Sequence, residues 1–226
     1  MQNEQLSVLV ANLKRLLRRG ATKQLMNILD KTHMADLSII IRELSPDNRI
    51  RLFSLIQDPE DVGELFSNLD ENLFLDLVKD VELERLVKIF ESMASDDAAY
   101  LLNLLDESLS DQILEKMETE DSDDVEQIMS YDEDTAGSVM VTDFVALEED
   151  VGAKQVIEAL QNKYLDVEMP FYIYVIDEYG KLVGVSSLRQ LVVVHPEKPL
   201  KEFMATDVVT VKTYTDREDV AKLVSR

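Results

Sequence analysis

Cysteine and tryptophan are absent from this 226-residue sequence, and histidine occurs twice, at His33 and His195. Without cysteine there is no disulfide, no thiolate nucleophile and no sulfur-liganded zinc site, and a reducing compartment is compatible with the chain. The two histidines are isolated, and His195, just before Pro196, reads as a helix C-terminal cap or surface residue rather than a metal ligand. Long apolar runs are missing too. The aliphatic stretch "LVVV" (191–194) is far shorter than the roughly 18 residues of a membrane span. The opening "MQNEQLSVLVANLKRLLRRG" lacks a signal-peptide cleavage pattern, and its apolar residues recur at helical spacing instead. A soluble chain in the cytoplasm, or a soluble piece of something larger, is expected. Basic residues are scarce: 23 Lys and Arg stand against 46 Asp and Glu, a formal charge of -23. Such a surface repels nucleic acid and anionic lipid and attracts cations. For most single carboxylates a solvated face is the sufficient reading.

What is present divides by period. From residue 6 to about 129 the apolar residues follow the 3.6-residue repeat and almost never alternate. The segments "RELSPDNRIRLF" (42–53), "SNLDENLFLDLV" (67–78) and "ESMASDDAAYLL" (91–102) each close one helix and open the next, with Leu44, Leu69 and Met93 spaced 25 and 24 apart. Ser45, Asp58, Asp70, Ser95 and Asp106 are the expected N-caps, and Pro46 and Pro59 sit where a first-turn proline is cheap. Neither short helix of such a pair can bury its stripe alone, so the pairs are expected to stack into a right- or left-handed superhelix. Much of the acidity is then capping, which covers Asp58, Glu60, Asp61, Glu71 and Asp111. No carboxylate pair comes with a base, a nucleophile or a glycine loop, so the chain does not read as an enzyme. The run "ETEDSDDVEQIM" (118–129) reads as a loop followed by a helix capped near Ser122, with Val125, Ile128 and Met129 on one face.

After residue 140 the texture changes. "DFVALEED" supplies a short strand and turn, and "DVGAKQVIEALQNKY" an amphipathic helix with Val156, Leu160 and Tyr164 on one side. "MPFYIYVID" and "KLVGVSSL" form a hairpin around "EYG", and "SLRQLVVVH" starts another helix. The order then begins again. Met140 and Met204, Thr142 and Thr206, Asp143 and Asp207, and Val156 and Val220 all lie 64 apart. Two tandem α/β copies are implied, the second reaching only its first helix. A half-copy cannot close its own core; it is expected to be truncated, or to lean on the first copy or on a partner.

A strand–helix–strand–strand–helix unit ending in "GVSSLRQLV" and restarting about sixty residues on resembles the paired CBS domain. Preceded by an acidic helical superhelix and joined to it by "YDEDTAGSVM", the chain resembles the cytosolic region of MgtE-type magnesium transporters; "YDEDTAGSVMVTDFVAL", "YIYVIDEYGKLVGVSSLRQL" and "TDREDVAKLV" carry the resemblance. It implies a helical domain at 1–129, an acidic joint at 130–139, a first CBS domain at 140–200 and the start of a second at 201–226. It also implies a sensor on the cytoplasmic face of the cell membrane, attached to the transmembrane pore of its own longer chain and paired as a homodimer through the CBS domains. In that family Mg2+ bridges acidic residues between the domains and holds the pore closed. Carried onto this sequence, the bridging ligands are Asp96, with Asp97 beside it, and the carbonyl of Gly137. Asp132, Glu133 and Asp134 are further candidates, and Tyr100 stands where some members carry another acid. From the residues alone, Asp96 and Asp97 read first as the N-terminal cap and first-turn acid of a helix starting near Ser95, and Gly137 as a tight turn.

The same resemblance implies ATP as a second ligand of the full-length protein, contacted at Ser187, Arg189 and Gln190, with a glutamine where the nucleotide-binding pattern has an aspartate. As a residue, Ser187 reads as a helix cap. Two other functions fit the sequence: a soluble CBS-containing regulator that senses adenylates, and a helical protein-binding scaffold whose acidity is incidental.

Overall fold

The computed structural model describes residues 3–142, 144–162 and 171–225. The chain divides into two compact units, Met1–Met129 and Ser130–Arg226. Asp143, Tyr164 and the first two residues of "MPFYIYVID", which figure in the sequence reading, lie outside the described residues.

The first unit is helical throughout. Its helices are α1 (Asn3–Arg19), α2 (Thr22–Leu29), α3 (Met34–Arg42), α4 (Pro46–Phe53), α5 (Pro59–Ser67), α6 (Glu71–Val78), α7 (Leu83–Glu91), α8 (Ser95–Leu104), α9 (Glu107–Leu114) and α10 (Thr119–Met129). Packing mostly skips one helix at a time, although α1 also meets α2 and α4, and α8 meets α9. Helices α3, α5, α7 and α9 form one row, while α4 meets α6 and α8 meets α10. This is the stack of helix pairs that the punctuation implied, and one continuous core runs through it from Val10 to Ile128. Phe53 stacks on Phe66 at 5.5 Å between ring centres, and Phe74 meets Phe66 edge-on at 5.2 Å. The Arg85 guanidinium lies 5.5 Å from the centre of the Phe53 ring and donates to the Ile56 carbonyl, tying α7 to the end of α4.

The caps fall largely where expected. Asp58, Asp70 and Asp106 accept from the backbone N–H groups of Glu60, Leu73 and Leu109, and Pro46 and Pro59 open their helices. Ser45 holds the cap position of α4 without a side-chain bond to the helix; its Oγ accepts from Asn48 instead. Two expectations are corrected. Ala94, not Ser95, is the N-cap of α8, and Ser95 is the buried first residue of that helix. The acidic run at 118–129 contains no leading loop. Helix α10 starts at Thr119, so Ser122 lies inside it, its hydroxyl bonded to the Thr119 carbonyl. Carboxylates in a first helical turn are favoured by the positive end of the helix, which is why this run can wind from its beginning.

The second unit contains a three-stranded sheet in the order β1 (Val145–Glu148), β2 (Tyr172–Ile176), β3 (Leu182–Ser187). Strand β1 runs parallel to β2, with α11 (Ala153–Asn162) between them in sequence, and β2 turns into antiparallel β3. The hairpin turn is built by Asp177, whose carboxylate accepts from the N–H groups of Tyr179 and Lys181, and by Gly180 at φ 76°. Helix α12 (Leu188–Val193) follows directly, then a 3-10 turn at Leu200–Glu202. Val145, Val156, Ile173, Val175, Leu191 and Leu200 close the core.

The second copy supplies α13 (Arg217–Val224), the counterpart of α11, but residues 207–211 form no strand. Strand β1 finds its ladder in β2; among the described residues the second copy has no such partner. The half-copy leans on the first: Ala205 and Val185 exchange two backbone bonds of 2.8 and 2.9 Å. Among the described residues no helix is long and apolar enough to cross a membrane.

Candidate functional site

Three places carry the residues singled out from sequence. Asp96 and Asp97 lie in the first turn of α8, Asp96 half-buried and Asp97 exposed. The helix packs through Ala98, Ala99, Leu101 and Leu102, all buried, which fixes the direction of its acidic start. Adjacent helical residues point about 100° apart, so these two carboxylates do not converge on one point. Tyr100, exposed on the same helix, donates its hydroxyl to Glu71.

Gly137 belongs to the second unit, where it begins a short 3-10 turn, Gly137–Val139. It is buried, and its φ is not positive. Its lack of a side chain has another cause. A Cβ built here would lie 2.4 Å from Cγ of Tyr131 and 2.7 Å from both Cδ atoms, so the Tyr131 ring occupies the space of the missing side chain. The acids beside it differ in their engagement. Asp134 pairs with Arg217 at 2.8 Å, whereas Asp132 and Glu133 are exposed and contribute backbone carbonyls to the turn.

Ser187, Arg189 and Gln190 sit at the β3–α12 junction. Ser187 is the N-cap of α12 and forms a capping box with Gln190: the Ser187 N–H donates to Gln190 Oε1 at 2.9 Å, and the Gln190 N–H donates to Ser187 Oγ at 3.4 Å. Gln190 Nε2 also donates to the Phe203 carbonyl at 3.1 Å. Both ends of the glutamine amide are therefore engaged in holding the fold. Arg189 is exposed. His195 is an exposed residue after α12, its Nδ1 accepting from the Glu197 N–H.

One cluster was not singled out from sequence. Asp30, Asp58 and Asp61 rim a cavity of about 520 Å³ whose walls include Met26, Leu29, Met34, Leu55 and Ile56. Burial, then the charges of Asp58 and Asp30, hold the Asp61 carboxyl above its ordinary pKa. Asp58 and Asp61 read from sequence as capping acids, and nothing in the local pattern brings Asp30 to them. Among the described residues, no three His, Asp or Glu side chains are placed to hold a metal ion. The residues that the resemblance singles out, Asp96, Asp97 and Gly137, offer oxygen atoms, the ligand type a small hard cation takes.

Comparison with known proteins adds the following. Residues 32–134 match the MgtE intracellular N domain, and residues 136–199 match the CBS domain, both regulatory rather than catalytic. The magnesium transporter MgtE of Thermus thermophilus is 32% identical over 228 residues, covering 96% of this chain and 49% of that protein. The magnesium transporter MgtE of Bacillus subtilis is 29% identical over 226 residues, covering 100% of this chain and 50% of that protein. The chain thus spans about half the length of these curated relatives. Among solved structures, the cytosolic domain of the Mg2+ channel MgtE in complex with ATP matches with a TM-score of 0.89 at 32% identity, over 96% of this chain and 88% of that one. The soluble part of a magnesium transporter matches with a TM-score of 0.83 at 24% identity, over 97% and 86%; this second likeness is one of fold.

Proposed function

The chain belongs to the MgtE magnesium transporter family, and from that premise we propose that it is the cytosolic magnesium-sensing and gating region of a magnesium transporter. The observation that carries this reading is the joint match of both units, in order, to the cytosolic domain of a Mg2+ channel at 32% identity. In this reading the segment lies at the cytoplasmic face of the membrane. Its partners are the pore of its own longer chain and a second copy joined through the CBS domains.

Bound Mg2+ supplies a compact divalent charge that accepts oxygen donors in octahedral geometry and keeps part of its water. Asp96 offers a half-buried carboxylate on a helix held rigid by its buried alanine and leucine face. Asp97, exposed beside it, adds to the acidic field. Gly137 offers a carbonyl in a turn pinned by Tyr131. Asp134 is removed from the acidic shell by its pairing with Arg217, which leaves Asp132 and Glu133. With a formal charge of -23, apposed acidic faces repel when cations are scarce and are drawn together when a divalent ion is shared. Each ion shifts the balance only by its preference for the bridged form. Nucleic acid is disfavoured as a partner by the same charge.

ATP enters through the relative solved in complex with it. In this chain the capping box engages Ser187 and Gln190, and Arg189 is the one of the three without a partner among the described residues. Nucleotide binding by residues 1–226 is expected to be weak, and the adenylate regulator is the second reading.

The test is thermal unfolding with chelator and with Mg2+ at constant ionic strength. Mg2+ at ten times its dissociation constant should stabilise by about 1.4 kcal/mol, and Asp96→Asn should lose most of that gain. Equal stabilisation of the parent and the Asp96→Asn protein would reject the assignment.

A further inference from the structure

The joint is not a free linker inside its own unit. Its carbonyls from Asp132 to Ala136 are all engaged: Asp132 accepts from the N–H and hydroxyl of Thr135, Glu133 and Thr135 accept from the Ser138 hydroxyl, and Ala136 accepts from the Val139 N–H. The remaining bonds come from far along the chain. The Ala136 N–H donates to the Thr215 carbonyl at 2.7 Å, and the Gly137 N–H to the Thr213 carbonyl at 2.8 Å. The Arg217 N–H donates to the Asp134 carbonyl at 2.9 Å while its guanidinium pairs with the Asp134 carboxylate at 2.8 Å. The segment that holds the joint is itself ordered. Lys212 and Thr215 close a small turn on each other, and α13 starts immediately after it, capped by Asp216.

From this geometry we infer that the start of the second repeat copy, Thr213 to Arg217, is a clasp that sets the shape of the Gly137 turn, and that Arg217 is a positioning residue for a cation held there. The inference rests on the magnesium reading of the joint. Asp132, Glu133 and Asp134 are three successive like charges, and left to themselves they favour an extended, variable backbone. The clasp neutralises one of them and fixes three backbone groups, the Asp134 carbonyl and the N–H groups of Ala136 and Gly137. A cation arriving at the turn then meets a Gly137 carbonyl already oriented and pays little ordering cost there. A consequence is reciprocal coupling. Whatever moves the second copy changes cation affinity at the joint, and occupancy of the joint stabilises the second copy by the same free energy.

Two readouts on the 226-residue chain separate the clasp from the magnesium reading. Amide hydrogen exchange without Mg2+ reads the clasp alone. Arg217→Glu turns the ion pair repulsive and should speed exchange at Ala136 and Gly137 by about fivefold, and adding Asp134→Lys should restore protection. Mg2+ titration followed by the Gly137 amide resonance reads the function. The apparent affinity should fall by about fivefold in Arg217→Met/Asp134→Asn, which loses the ion pair at unchanged net charge, and be kept in the charge-swapped pair. Unchanged exchange in Arg217→Glu would overturn the clasp. Faster exchange there with unchanged Mg2+ affinity in Arg217→Met/Asp134→Asn would overturn the positioning role. A parent chain with protected amides but no response to Mg2+ would overturn the magnesium reading, and the role assigned to Arg217 with it.

Discussion

Replacing Gly137 by alanine should change the stability of the unit Ser130–Arg226 in a direction that depends on residue 131. Gly137 has no positive φ, so alanine meets no backbone strain there. The obstacle is the Tyr131 ring, whose Cγ would lie 2.4 Å from the new Cβ, whereas ordinary contact begins at 3.4 Å. The ring must retreat by about 1 Å, and because Cγ is the root of the ring, rotation about χ2 does not help. Overpacking of this kind costs about 1–3 kcal/mol. Against it stands the lower unfolded-state entropy of alanine, which favours folding by about 0.4–1 kcal/mol. Gly137→Ala is therefore destabilising in the parent chain, by up to about 2.6 kcal/mol. In a Tyr131→Ala background the clash is gone and the same substitution stabilises by about 0.4–1 kcal/mol. Urea unfolding read by amide resonances of β2 and β3 isolates this unit from the helical one, and the double-mutant cycle gives the coupling. The same sign in both backgrounds would refute the steric explanation of Gly137. If the double variant regains stability but not its response to Mg2+, the glycine serves ion approach as well as Tyr131.

The remaining predictions follow from other contacts. Gly184→Ala in β3 should destabilise by about 1–3 kcal/mol, and Met204→Ala should rescue it only in part. The new Cβ would meet the Ala205 carbonyl at 2.9 Å as well as the Met204 sulfur at 2.5 Å; denaturant unfolding of the single and double variants checks this. Gln190→Ala should cost about 1–3 kcal/mol by unpairing the Phe203 carbonyl and opening the capping box, while Arg189→Ala should be nearly neutral; thermal melts compare them. Asp58→Ser keeps a cap for α5 but removes a charge, so the Asp61 carboxyl should titrate lower, with the burial contribution remaining. The sign for stability follows. Asp61 holds its proton more tightly when folded, so its ionisation opposes folding as pH rises from the ordinary carboxylate value through the raised one. Asp61→Asn should therefore flatten that fall, and carbon NMR titration with melts across the window tests both statements.

The helical unit was legible because its boundaries are chemical. Asp58, Asp70 and Asp106 announce helix starts by what their carboxylates can accept, and Pro46 and Pro59 by what they cannot donate. Reading failed where two roles share one residue type. Ser95 looks like a cap but is buried one position inside the helix, and the acids of 118–124 look like a loop although a helix N-terminus welcomes them. The α/β copy was legible from its period, with β2 alternating exposed and buried residues and α11 following the helical repeat. The candidate sites were less so. Spacing put Asp96 and Asp97 in a first turn, yet the Tyr131 ring against Gly137 and the pairing of Thr213, Thr215 and Arg217 with the joint leave no periodic trace. Backbone bonds between residues nearly eighty apart depend on topology, and no local pattern encodes them. Gln190 stood as a nucleotide contact through the resemblance alone, and its bond to the Phe203 carbonyl has no local signal in the sequence.

Small-angle scattering of the 226-residue chain tests the magnesium-sensor claim most directly. At constant ionic strength, with chelator and then with Mg2+ from about 0.1 to about 20 mM, a range suited to a weak hydrated site, the radius of gyration should fall saturably, and Asp96→Asn should weaken the fall. A radius that Mg2+ leaves unchanged would contradict magnesium-bridged closure and turn attention to the adenylate regulator or the scaffold.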